Sequence, residues 1–224
     1  MSYDPDKIRV LASSAEAIRT RPEMYVGRLD DPLLMNKLIQ ESLCIAADEA
    51  MAGRCDRVRV EVHGDGMTSV RDRGRGLPMT LDAAGRPLAE SLLTQLFACR
   101  EHKEHGRIAE SCCQAGLVAV NALSDWLRIK NFREGACWSQ SYRRGEPLGP
   151  FQRQPSVCES GVELTFRPDS AILGPLQFDG RALADWFIGL GLRCSSVEIG
   201  TGRSGGGPAF VCFEGIAPGQ STHP

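Results

Sequence analysis

The stretch RVRVEVHGDGMTSVRD, residues 57–72, restricts the fold more than any other part of the chain. Val58, Val60 and Val62 alternate with Arg57, Arg59 and Glu61, and Gly-Asp-Gly follows at 64–66. Alternation at period two puts the valines on one face of a strand and the charges on the other, and the glycines mark a hairpin turn. The valine face of such a hairpin needs an apolar cover. The preceding DDPLLMNKLIQESLCIAADEAMAG supplies one. It predicts a single amphipathic helix capped by Asp31, with Pro32 at the first position and Gly53 after the end.

Further helices are predicted around 13–20, where Pro22 stops the first, and at 87–100, 113–127 and 179–192. Strands are predicted at 127–133, 137–143, 161–167, 196–200 and 209–214, with GTGRSGGGP as a loose turn before the last. Helices early and strands late, with the hairpin between, indicate an α/β two-layer sandwich: one sheet covered on one face, a single domain over residues 1–224.

Charge and composition exclude some functions. The 26 basic and 28 acidic residues give a net charge of −2, and no basic run carries interleaved aromatics, so direct nucleic-acid binding is not expected. No window approaches the roughly 18 apolar residues of a membrane span, and the charged start is no leader. A soluble, cytoplasmic protein is expected, and its nine cysteines are then read as reduced thiols. Cys99, His102, His105, Cys112 and Cys113 bring soft ligands together and leave zinc as an alternative, although their spacing matches no finger or ribbon.

Two acids stand out. Thr68, Val70 and Asp72 share a strand face, so Asp72 points inward with the valines, a costly place for a carboxylate without a donor. It precedes RGRGLP, where Gly74 and Gly76 permit close backbone approach. On the long helix, Glu41, Ile45 and Asp48 fall on one face.

The order of these features resembles one family. The opening SYDPDKIRVL…AIRTRPEMYVG, the helix with DEAMAG, the valine hairpin, VRDRGRGLP, VNALS, REG and SGVELTFRPD are similar to the amino-terminal ATPase domain of the gyrase B and topoisomerase IV B subunits, of the GHKL group. The likeness runs from Ser2 to about Gly215. It implies the Bergerat form of the sandwich, with a mixed, mostly antiparallel sheet and helices on one face. It further implies ATP or another adenine nucleotide as ligand. Asp72 then stands where the family binds the adenine amino group, and Gly76 and Pro78 lie in the close-approach turn. Arg75 covers the base and pairs with Glu49, while Glu41 takes the place of the general base. Asp48 supports the site from the same helix, Gly116 belongs to the phosphate loop, and Arg133 lies at the pocket edge. Tyr3 stands on the arm, residues 1–12, that reaches the nucleotide of the other protomer.

The departures from the family fall at the phosphate end. Where the family has an Asn that holds Mg²⁺, this chain has Ile45, and isoleucine offers no oxygen ligand. The glycine-rich phosphate loop aligns with CCQAG, of which only Gly116 survives, and the lid over 99–115 is degenerate. Val162 replaces a Thr beside the adenine position. The transducer domain that would follow is not expected in this chain. The resemblance so altered implies a non-hydrolysing or weakly nucleotide-binding regulator, partner to the B subunit of a gyrase or topoisomerase IV. With the phosphate switch degraded, ATP has little differential contact to favour a closed dimer, and only Met1 and Ser2 precede Tyr3, so a monomer or a nucleotide-independent dimer is expected. A slow ATPase and a metal- or thiol-dependent module remain the alternatives.

Overall fold

The computed structural model describes residues 11–101, 103–106, 108, 110, 114–202 and 207–219. The helices are α1 (Ser14–Thr20), α2 (Glu23–Val26), α3 (Leu34–Ser42), α4 (Cys44–Met51), α5 (Leu88–Thr94), α6 (Ala98–Glu101), α7 (Leu117–Ala122), α8 (Ser170–Leu173) and α9 (Gly180–Gly189). The main sheet contains β1 (Arg57–Val62), β2 (Thr68–Asp72), β3 (Ser124–Arg133), β4 (Ala136–Arg143), β5 (Glu146–Pro147), β6 (Gln152–Pro155), β7 (Gly161–Pro168), β9 (Ser196–Gly200) and β10 (Ala209–Glu214). Its order is β5-β4-β3-β7-β2-β1-β10-β9, with β6 also on β4, and β8 (Leu192–Arg193) pairs with β11 (Ala217–Pro218) apart from it. Every strand pairing among the described residues is antiparallel. The two-layer α/β architecture expected from the hairpin is the one found.

The hairpin sets the register of the sheet centre. Val58 faces Asp72 and Val60 faces Val70, and all three valines of β1 are buried. They pack with Met35 and Ile39 of α3, Cys44 and Ala47 of α4, and Phe187 of α9, while α1, α7 and Leu38 of α3 close a second apolar cluster. Burying one sheet face under these helices is the dominant stabilising term.

Several boundaries differ from expectation. The long helix is present as α3 and α4, parted at Leu43 alone. There the Leu43 N–H is shared between Ile39 O and Gln40 O, and the Ser42 hydroxyl takes Ile39 O at 2.6 Å. A serine hydroxyl competing for helix carbonyls loosens the ladder locally. Asp31 caps a turn rather than the helix itself: its carboxylate accepts the Leu33 N–H at 2.8 Å, and α3 starts at Leu34. The helix predicted at 87–100 is broken between α5 and α6, where Phe97 takes a positive φ of 67°. That predicted at 113–127 shortens to α7, and β3 begins at Ser124.

Candidate functional site

Asp72 ends β2 with its side chain inward and 6% exposed, as its place in the alternation predicts. Its Oδ1 accepts the Gly74 N–H at 2.7 Å. Burial pushes the carboxyl up to about 6, against the N–H groups of Gly74 and Val162, which favour the charged form. Gly76 follows at φ +76°, where a Cβ would lie 2.7 Å from Asn131 Oδ1 and 2.8 Å from Phe132 O. Only glycine fits there. Leu77 is bracketed by the buried Asn131 amide, which accepts its N–H at 2.7 Å and donates to its carbonyl at 2.9 Å. Pro78 continues the turn, and its carbonyl takes the Ala89 N–H at the start of α5. Arg133 reaches Gly76 O only at 3.5 Å, and its Nε pairs with Glu134.

Glu49, on α4, meets Arg75 as the resemblance implies. The Arg75 Nη2 and Nε donate to its two oxygens at 2.8 and 3.0 Å, and Arg54 adds a bond at 3.0 Å. Burial alone would raise the Glu49 carboxyl, but the bonds from Arg75 and Arg54 outweigh it and hold the group down at about 2. A depressed carboxyl contributes stability above its unfolded value of 4.5 that is lost as pH falls through about 2. Arg75→Ala should therefore shift acid unfolding to higher pH. The loss at neutral pH should be about 1 kcal/mol, because the guanidinium is half exposed and screened. Circular dichroism across an acid titration reads both effects, and an unmoved acid midpoint would contradict the pairing.

Glu41 and Asp48 both turn toward segment 104–116, as their shared helix face predicts. Glu41 is 7% exposed; its Oε2 accepts the Gly116 N–H at 2.5 Å and its Oε1 the Gln114 N–H at 3.2 Å. It is therefore not solvent-exposed, and no arginine among the described residues pairs with it. Burial pushes its carboxyl up to about 8, and the Cys44 thiol adds to the rise. The N–H groups of Gly116, Gln114 and Ala115 oppose that rise. Asp48 accepts the backbone N–H groups of His105 and Glu104 at 3.0 and 3.2 Å, and His105 Nδ1 lies 3.0 Å from the same carboxylate. Two carboxylates of the long helix thus gather the backbone N–H groups of Glu104, His105, Gln114 and Gly116.

Ile45 lies between them and, with Ala46, Leu77, Leu117 and Val162, walls a space of only about 10 Å³ beside Asp72. That is room for one water, whereas small-molecule pockets run to about 300–1,000 Å³. Magnesium ATP does not fit the described residues as they stand: Ile45 gives the metal no oxygen, and each Glu41 oxygen already accepts a backbone N–H. A cleft of about 630 Å³ does open in the molecule, but around the His63–Gly66 turn, at the other end of β1 and β2 from Asp72.

Tyr3, His102, Cys112 and Cys113 lie outside the described residues. Among the described residues no group of three or more His, Cys, Asp or Glu side chains is placed to share a metal. Cys99 is buried, its thiol on Leu92 O and the Leu117 N–H, and His105 is engaged with Asp48. No helix among the described residues is long and apolar enough to cross a membrane.

No protein-family model matches the chain. It is similar to the B subunit of DNA gyrase from Thermotoga maritima, 35% identical over 179 residues, which covers 79% of this chain and 28% of that protein. Against the gyrase B subunit of a Synechocystis species it is 33% identical over 202 residues, 88% of this chain and 19% of the relative. The B subunit of DNA topoisomerase 4 from Staphylococcus epidermidis matches at 34% over 173 residues, 76% of this chain and 26% of the relative. The chain thus spans less than a third of the length of these relatives.

Proposed function

We propose, from the premise that this chain is a gyrase-B-like domain, that it works by association with the B subunit of a type II topoisomerase and does not hydrolyse ATP. The observation that carries this reading is the bond from the Gly116 N–H to Glu41 at 2.5 Å. The carboxylate that the family would use to activate water is here committed to the loop that the family would use to hold phosphate. Phosphoryl transfer depends on positioning and on charge stabilisation around the phosphate. Ile45 removes one oxygen ligand, Glu41 is satisfied elsewhere, and the space beside Asp72 is nearly closed. Asp72 remains as the group that any adenine compound would have to meet.

Phosphate release with ATP and Mg²⁺ tests this directly. The wild-type rate should equal that of Glu41→Ala, and Ile45→Asn should not raise it, because one restored oxygen leaves Glu41 still tied to the loop. A Mg²⁺-dependent rate that Glu41→Ala abolishes would establish the slow ATPase instead. Sedimentation of the protein mixed with the gyrase or topoisomerase IV B subunit of its host tests the association. Absence of a mixed species, together with unaltered supercoiling, would remove it.

A further inference from the structure

The loop 156–160 joins β6 to β7 and is pinned on both sides of Cys158. On one side the Ser156 N–H donates to Gly135 O at 2.9 Å; on the other, Glu159 O accepts Arg71 Nη2 at 2.8 Å. The Arg71 guanidinium sits 4.5 Å above the Phe132 ring, which fixes the face on which the loop lies. Phe132 is directly paired with Cys137 across β3 and β4, and residues directly opposite on antiparallel strands share a face. Cys137 therefore shares the face of Phe132, and it lies within electrostatic reach of Cys158. Cys158 is exposed and Cys137 half-buried, so both can be reached by a small oxidant.

We propose that Cys137 and Cys158 form a reversible disulfide, driven by a peroxide, that staples the loop 156–160 to β4 beside Asp72. The exposed Cys158 thiolate attacks the peroxide, the O–O bond breaks, and a sulfenic acid forms on Cys158 as hydroxide leaves and takes a proton. The Cys137 thiolate then attacks that sulfur, the S–O bond breaks, and water departs. Two thiols and one peroxide become a disulfide and two waters. Burial pushes the Cys137 thiol above its ordinary value, and a charge on Cys158 pushes it further, while Lys130 and Arg128 oppose both. A thiol held protonated is slow toward peroxide, which leaves the first step to the exposed Cys158. The staple reaches the candidate site through Glu159, whose carboxylate pairs with Arg73 Nη2 at 2.6 Å, and Arg73 directly follows Asp72.

The test is peptide mapping of the full chain after exposure to hydrogen peroxide and alkylation, with Cys137→Ser and Cys158→Ser alongside. The expected result is a Cys137–Cys158 cross-linked peptide that a dithiol removes. The melting temperature should rise by roughly 5–10 °C on oxidation, as expected for closing a loop of this kind, and neither serine variant should show the rise. In Cys137→Ser, Cys158 should run on to sulfinic acid. A wild-type Cys158 that over-oxidises while Cys137 stays alkylatable, or that pairs with a different cysteine, would overturn the proposal.

Discussion

Gly161→Ala is expected to lower the stability of the fold by about 4 kcal/mol, near the upper end for a single substitution. Gly161 opens β7 at a φ of +131°, a region that is essentially reserved to glycine. A Cβ built there would stand 2.2 Å from the carbonyl oxygen of Asp72 and 2.9 Å from its carbonyl carbon. Both obstacles are backbone, so no side chain can swing aside; β7 would have to part from β2 at the residue that carries the inward carboxylate. Gly135→Ala is the natural control. It shares a positive φ, +70°, but nothing lies within 4 Å of its Cβ, so only the conformational cost of about 1–2 kcal/mol remains. Urea denaturation of both variants measures the difference. A Gly161 variant within about 1 kcal/mol of the Gly135 variant would show that β7 does not approach Asp72 this closely.

How far the sequence could be read follows from which forces are local. The valine alternation of β1 depends on period alone, and it correctly placed Val58, Val60, Val62 and the inward Asp72. The shared face of Glu41 and Asp48 was legible for the same reason, since helix geometry fixes it. What each carboxylate meets was not, because their partners lie in segment 104–116, more than fifty residues away, and are backbone N–H groups that any sequence carries. Asn131 was missed although a signal existed. It follows Leu127 and Ile129 on the buried face of β3, where a polar residue demands a partner, and that partner is the backbone of Leu77. Gly161 gave no comparable signal, because its need for a bare Cα arises from Asp72, a strand away. Helix ends were read poorly where the backbone departs from the helical period within one turn, as at Leu43, beside the Ser42 hydroxyl, and at Phe97, with its positive φ.

The stability of the wild type should fall by about 2 kcal/mol between pH 6 and pH 8, and most of that fall should vanish in Glu41→Gln. The folded chain keeps the Glu41 proton until about pH 8, whereas the unfolded chain releases it near its ordinary value of 4.5. Between those values the folded state binds more protons, so this contribution is fully present below about 4.5 and disappears as pH rises through about 8. Asp72 acts in the same direction but lower, around 6, and is common to both proteins. The difference between wild type and variant therefore isolates Glu41 from every other titrating group. In melting temperature the wild-type fall amounts to roughly 4–8 °C for a domain of this size. The sign has a structural consequence: as Glu41 ionises, its buried charge is met, among the described residues, by the backbone N–H groups of Gln114, Ala115 and Gly116. Alkaline conditions should then loosen the backbone at Gln114 and Gly116 before the sheet, and hydrogen exchange at pH 6 and pH 8 resolves the two regions. Equal pH slopes in wild type and Glu41→Gln would show that Glu41 carries its charge in the folded chain at neutral pH, and that the lid N–H groups outweigh its burial.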